Sequence, residues 1–191
     1  MKYQSYLVVL TLQSVAPNLH SFDLLAESNN LAGTIPTEMA LLSELAVWGM
    51  EDGKLMGTLP TEIGDMKKLI FLDIDFNDLT GTLPDQLYDL TLLTQLDLND
   101  NQFSGTISSR IGLFSDLFFL QLHNNLFTGT IPLEMENLSA LNAFTLHGTG
   151  FSGSMPAEVC TFFPHLANGD PDPDLIADCT MVACECCSCL P

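Results

Sequence analysis

Gly33, Gly57, Gly81, Gly105, Gly129 and Gly153 recur every 24 residues without a slip. One frame surrounds them. It reads LIFLDIDFNDLTGTLP from Leu69 to Pro84 and LTQLDLNDNQFSGTIS from Leu93 to Ser108. A fixed period in this range marks a solenoid, whose units bury their apolar sides only against their neighbours. A unit this short has no core of its own, so few other folds can absorb the pattern.

Four columns around the glycine are apolar in nearly every copy. They are Leu24, Trp48, Leu72, Leu96, Leu120 and Phe144; then Ala26, Met50, Ile74, Leu98, Leu122 and Leu146. The others are Leu31, Leu55, Leu79, Phe103, Phe127 and Phe151, and Ile35, Leu59, Leu83, Ile107, Ile131 and Met155. The first two alternate with polar residues, which is the period of a strand with one face inward. Stacking such strands makes a parallel sheet. A further column holds Asn29, Asn77, Asn101 and Asn125, with Gly53 and Thr149 interrupting it. An inward asparagine there can satisfy backbone groups at the turn that have no ladder partner. The glycine suits a bend that a side chain would obstruct. A proline three residues later stiffens the crossing segment, except at Ser108.

The 191 residues hold one array, hence one domain. Residues 19–163 carry six repeats. Residues 164–191 form an acidic loop and a cysteine-rich cap, with GDPDPD (Gly169–Asp174) read as a solvated turn. Residues 1–18 fit a signal peptide, with Lys2, the apolar Tyr6–Leu12 and a small-residue site at Ser14-Val15-Ala16. Pro17 disfavours cleavage there, and a capping segment or a start inside a longer gene fits equally. No stretch approaches the roughly 20 apolar residues that span a bilayer. The formal charge is −19, and residues 69–191 set sixteen acids against Arg110 alone. Such a surface repels nucleic acid and favours cationic partners, divalent ions or plain solubility.

The element N-x-L-x-G-T-[IL]-P, with L-x-x-L-x-L-x-x-N-x-L before it, resembles the plant-specific class of leucine-rich repeats from Leu19 to Cys160. That class builds receptor-kinase ectodomains and polygalacturonase-inhibiting proteins. The resemblance implies that the x-x-L-x-L-x-x strands line a concave face and that the G-x-[IL]-P segment adds a second short sheet. The expected fold is therefore an α/β solenoid, a right-handed superhelix closed by a disulfide-rich cap. The tail, SMPAEVC then ADC then CECCSC, resembles the C-terminal cap of secreted or membrane-anchored diatom leucine-rich repeat proteins. An N-terminal cysteine pair and a kinase domain, both usual in plant receptors, are missing from the sequence.

All six cysteines fall at the end: Cys160, Cys179, Cys184, Cys186, Cys187 and Cys189. An even count beyond the last repeat suggests disulfides and an oxidising compartment, and a thiolate metal cluster is the alternative. Asn137-Leu138-Ser139 is a glycosylation sequon.

Alternation also gives the outward columns of the strand face. One holds Glu27, Glu51, Asp75, Asn99, His123 and His147; the next holds Leu25, Gly49, Asp73, Asp97, Gln121 and Thr145; the third holds Asp23, Val47, Phe71, Gln95, Phe119 and Ala143. Carboxylates crowd one half, histidines and amides the other, and Phe71 and Phe119 belong to a class favoured at interface hot spots. The expected function is recognition of a protein, peptide or glycan, cationic ones included, outside the cell. The alternative within each column is an ordinary solvated strand face. His123 and His147 stand on adjacent rungs without an evident third ligand, so no metal centre is expected there. They can make binding pH-sensitive.

Directly after the glycines come Thr34, Thr58, Thr82, Thr106, Thr130 and Ser154. Such hydroxyl arrays resemble the ice-binding faces of some solenoid proteins. Threonine is also simply a good strand former. A structural fragment of a larger receptor is a further alternative. No P-loop, zinc-protease helix, nucleophile elbow or dinucleotide fingerprint occurs, so neither an enzyme nor a cofactor is expected.

Overall fold

A computed structural model describes residues 22–26, 31–161, 172–177, 182–183 and 187–189. The segment 1–18, Glu27, Asn29 and most of the cysteine tail lie outside them.

Two parallel sheets run the length of the stack. The eight-stranded sheet contains, in order, Phe22–Leu25, Leu45–Gly49, Phe71–Asp73, Gln95–Asp97, Phe119–Gln121, Ala143–Thr145, Asp172–Ala177 and Cys187–Cys189. The seven-stranded sheet contains Ala32–Thr34, Lys54–Gly57, Asp78–Thr82, Gln102–Gly105, Leu126–Thr130, Gly150–Ser154 and Val182–Ala183. Single 3-10 turns, from Thr37–Leu41 to Leu133–Asn137, close the opposite side. This is the leucine-rich repeat solenoid expected from the period. The convex segments are 3-10 rather than α-helical, with Ala157–Cys160 the one α turn among the described residues.

The core is a set of columns. Leu72, Leu96, Leu120, Leu79, Phe103 and Phe127 have no accessible surface. The rings of Phe103, Phe127 and Phe151 stack at 6.3 and 5.8 Å, nearly parallel. Met66, Leu90, Phe114 and Leu138 seal the core from the convex side. At the N-terminal end Met50 and Ala26 are only half-buried, since a smaller or end-most unit covers them less.

The buried asparagines tie rung to rung. Asn101 Nδ2 donates to Leu98 O and Asn99 O within its own turn, and to Ile74 O of the preceding rung at 2.9 Å. Its Oδ1 accepts from Leu79 N at 3.0 Å. Asn77 and Asn125 repeat the pattern, with Oδ1 accepting from Leu55 N and Phe103 N. Thr149 keeps only the local bond, Oγ1 to Leu146 O at 2.6 Å. Gly53 offers no side chain, and a Cβ there would strike Asn77 Oδ1.

The two sheets differ in register. In the first, partners are one period apart: Phe71 faces Gln95, Leu72 faces Leu96, Asp73 faces Asp97. In the second, Thr80 faces Gln102, Gly81 faces Phe103 and Thr82 faces Ser104, two residues short of a period. An even slip keeps every side chain on its own face. It does move the threonines. Thr82 stands beside Ser104, and Thr130 beside Ser152, rather than beside one another. The expected single row is therefore a slanted double row, which Thr80, Ser104, Thr128 and Ser152 join. The glycines have φ near +80° where the bend needs it. They also accept the threonine methyl of the preceding rung: a Cβ on Gly105 would come within 2.7 Å of Thr82 Cγ2.

The tail continues the stack. Asp172–Ala177 pairs with Ala143–Thr145, Leu175 facing Phe144, and Ala177 and Val182 are buried. Asp172 and Asp174 thus belong to a strand, not to the solvated loop read from GDPDPD. The interval from Phe144 to Leu175 exceeds the period, which hid this rung from a periodic reading.

Replacing Asn101 by alanine strands Leu79 N and the carbonyl of Ile74 in the core. At roughly 1–3 kcal/mol for a buried unsatisfied group, we expect a loss of about 3 kcal/mol. Asn101→Thr should cost less, because it retains the local bond seen at Thr149. Chemical denaturation of both variants checks the order.

Candidate ligand-binding face

The outward side of the eight-stranded sheet collects the residues that alternation placed there. Register brings Asp73 beside Asp97 directly. Phe71, Phe119, Gln95, Gln121, Glu51, Asp75, His123 and His147 are half-buried, whereas Asp73, Asp97 and Asn99 are buried. Glu27 lies outside the described residues. The cysteines are not placed well enough for their pairing to be described. Asn137 is exposed, at the end of the convex turn Leu133–Asn137.

Among the described residues the face carries no lysine or arginine. Arg110, the chain's only arginine, sits on the convex side. There it grips the Asp89 carboxylate and donates to Asp85 O at 2.7 Å, and Lys67 joins Asp89 at 3.6 Å. Arg110 holds the Asp89 carboxyl below the usual range.

Oxygens of Glu51, Asp73 and Asp75 lie within 4.8 Å of one another. Asp75 Oδ2 accepts from Asn99 Nδ2 at 3.2 Å, and Asp97 Oδ2 accepts from Gln95 Nε2 at 2.6 Å. Burial raises the Asp75 carboxyl to about 7, aided by the charges of Asp73, Glu51 and Asp97 against the Asn99 bond. Burial likewise raises Asp97 to about 6, with Asp73 and Glu51 adding and Gln95 and Gln121 opposing. Of the carboxyls in this half of the face, Asp75 and Asp97 are therefore the two pushed toward neutrality.

The histidines form a second feature. Their rings stack at 4.5 Å and 17°. His123 Nδ1 meets Thr145 Oγ1 at 2.7 Å, and Nε2 lies 3.5 Å from Asp100 Oδ2. Burial and His147 lower the His123 pKa against the pull of Asp100. Stacked rings send their lone pairs out in parallel planes instead of to one point, which does not suit a shared ion.

Phe76 is a feature the column lists missed. It lies at the turn after the strand, 55% exposed, with φ +47°. Asp52, Asp100, Asn124 and Gly148 hold the same left-handed backbone in the other copies. Aspartate, asparagine and glycine tolerate that region; a bulky aromatic there is an outlier. The signal was visible as the one apolar residue in a polar column. Phe76 thus stands at the rim of the carboxyl row, beside Asp75 in sequence.

The sequence model of the Leucine Rich Repeat family matches residues 68–90 and 92–114. Among solved structures, the chain is similar to the plant peptide hormone receptor RGFR1 in complex with RGF2, at 32% identity and TM-score 0.71. That match covers 76% of this chain and 23% of the receptor chain. Similarity to a chain of the BIR3–SERK2 complex from Arabidopsis thaliana has 31% identity and TM-score 0.60, covering 68% of this chain and 69% of that one. A plant ice-binding protein matches at 25% identity and TM-score 0.67, covering 88% of this chain and half of its own length, 50%. No curated protein sequence matches. The chain is a leucine-rich repeat protein, and its repeats are of the plant type. It spans less than a quarter of the hormone receptor it resembles.

The carboxyl row dictates a pH dependence. Asp75 and Asp97 titrate at about 7 and 6 in the folded chain, against 3.8 as their ordinary value. Between these limits the folded chain binds more protons than the unfolded one, so stability falls as pH rises. In metal-free buffer the melting temperature should drop from about pH 4.5 to about pH 8. Asp75→Asn should flatten that slope; parallel slopes for the two proteins would refute the assignment.

Proposed function

We propose that the chain is a non-enzymatic recognition module that binds a cationic peptide or protein segment on its outward strand face, outside the cell. The observation that carries this reading is a strand face with several carboxylates, two half-buried phenylalanines and, among the described residues, no lysine or arginine. Aromatics supply large contact area at low entropic cost, and desolvated carboxylates select lysine and arginine. Phe76 at the rim and Phe71 on the sheet flank the acids, so a basic residue next to an apolar one fits best. Similarity to a peptide hormone receptor supports the class of ligand. Disulfides among Cys160, Cys179, Cys184, Cys186, Cys187 and Cys189, a glycan at Asn137 and a removed leader at 1–18 would accompany this location. Glycan ligands and a role as one piece of a larger receptor use the same face. No helix among the described residues is long and apolar enough to cross a membrane.

Panning the full chain against a displayed random peptide library tests the reading. We expect selected peptides rich in lysine or arginine beside an aromatic or aliphatic residue. Asp73→Asn with Asp75→Asn should weaken them by about tenfold or more, since charged hydrogen bonds contribute about 1.5–3 kcal/mol. Asparagine is preferred to lysine because Asp73 is buried. Neutral or acidic selected peptides, or affinities that ignore the double substitution, would reject the placement.

The second sheet favours a second reading, ice binding. Thr58, Thr82, Thr106 and Thr130 are exposed. Beside them Thr80, Thr128 and Ser152 hydroxyls donate to the carbonyls of Gly57, Gly105 and Gly129, which fixes their orientation. A regular, rigid hydroxyl surface and the likeness to a plant ice-binding protein support it. Under this reading the chain shows thermal hysteresis and Thr82→Tyr with Thr106→Tyr abolishes it. A parent chain without hysteresis ends the idea.

A further inference from the structure

We infer that the strand face takes a polyproline II segment with an apolar residue at every third position and a basic one between, laid along the stack across the strands. The inference rests on the cationic-peptide reading above and supplies the conformation and spacing of that ligand.

The face is divided along its length. One side holds the acids. The other is an uncharged strip: from Ala46-Val47 to Asn142-Ala143 the two residues at the entry of each strand include no acid or base, in a chain with 24 acids. Ile70 and Phe118 are 42% and 43% exposed, and Phe71 and Phe119 are half-buried beside them. The Phe118 ring meets the Phe119 ring edge to face at 4.8 Å. Each pair stands as an apolar knob. Register sets Gln95 between the knobs, because Phe71 faces Gln95 and Gln95 faces Phe119. Gln95 Nε2 donates to Asp97 Oδ2 at 2.6 Å, which commits its amide to the acidic side. Apolar side chains left exposed together on a chain this charged mark a contact surface.

The spacing selects the occupant. Adjacent strands stand about 4.8 Å apart, so knobs two rungs apart are separated by about 9.6 Å. A polyproline II helix rises about 3.1 Å per residue with three residues per turn, so it repeats one edge every 9.3 Å or so. A β-strand repeats its face at about 6.6 Å. An α-helix returns to one face at about 5.4 Å and about 10.5 Å. Polyproline II is the nearest match, and its apolar edge is what aromatic-lined surfaces receive. Charge decides the rest. Asp73 and Asp97 lie two residues along the strands from Phe71 and Gln95, about 6.6 Å away, where a residue between the apolar ones arrives. A lysine or arginine belongs there. A second copy of a chain with charge −19 would be repelled.

The probe is a synthetic peptide of three Leu-Lys-Pro repeats, titrated into the full chain at about 0.15 M salt to screen diffuse attraction. One control has the same residues with the leucines two apart. Another replaces proline by alanine and sets the leucines on one face of a helix. We expect saturable binding of the repeat peptide and on the order of tenfold weaker binding of both controls. Phe71→Ala and Phe119→Ala should each weaken the repeat peptide by on the order of tenfold, as interface aromatics do. Phe118→Ser, at an exposed side chain that the fold does not need, should weaken it as well. Leu133→Ser, an exposed apolar residue on the convex side, should leave it unchanged. Tighter binding of the helical control would put a helix on the strip and overturn the inference. Equal binding of all three peptides, indifferent to Phe71 and Phe119, would leave only charge attraction: the inference falls and the cationic-peptide reading stands. Failure of every basic peptide to bind removes both. A dimer in sedimentation that Phe118→Ser dissociates would make a second copy the occupant, and that too overturns it.

Discussion

The amide of a buried asparagine is the interaction on which the rest of this structure depends. One side chain meets four backbone groups, two in its own turn and two in the rung before. Backbone at that turn has left the first sheet and not yet entered the second, so no ladder can satisfy it. The amide supplies both a donor and an acceptor where each is missing. Because it spans two rungs, it also sets their relative height. Columns stay aligned, and a carboxylate on one strand stands directly beside the next.

Alignment of this kind has different consequences on the two sheets. On the first, like side chains face one another at one strand spacing. For leucine this is favourable, since each side chain covers its neighbour. For aspartate it concentrates charge, which adds to burial in raising the Asp75 and Asp97 pKa values. On the outward side of the second sheet the two-residue slip sets threonine beside serine rather than beside the next threonine. Threonine methyls instead settle against the glycines, and the neighbouring hydroxyls satisfy glycine carbonyls. The same solenoid thus has one face where carboxyls crowd together and another where hydroxyls of Thr80, Thr128 and Ser152 bond glycine carbonyls.

Much of the fold was legible because a solenoid writes its contacts into its period. Leu96, Leu98 and Phe103 could be placed in the core by counting from Gly105, and Asp73 and Asp97 by alternation. What counting could not supply was anything that breaks the period or depends on depth. The rung at Asp172–Ala177 follows an insertion, so no column pointed to it. The slip of the second sheet leaves each residue on its expected face and is silent in the sequence. Burial of Asp73, Asp97 and Asn99 depends on how neighbouring side chains pack, which alternation does not report. Phe76 was readable only as a misfit, since its left-handed backbone comes from the turn and not from its own preference.

The carboxyl row links these observations to function. Evolution toward mere solubility would spread acids over the convex side, where water screens them and Arg110 and Lys67 already pair with Asp89. Here acids lie in register, half sunk among Gln95, Asn99 and the phenylalanines. Water screens them poorly there, so each charge acts on the others and on any visitor with force that an exposed residue lacks. A proton, a metal ion and a basic side chain all relieve the same repulsion, and they must compete for it. Whichever occupies the row sets the affinity of the others by linkage, reciprocally. A face built this way is responsive to its medium, because acid loads Asp75 and Asp97 with protons. Under the proposed function, a cationic peptide would bind only as strongly as its charge and its apolar contact with Phe71 and Phe76 exceed the occupant it displaces.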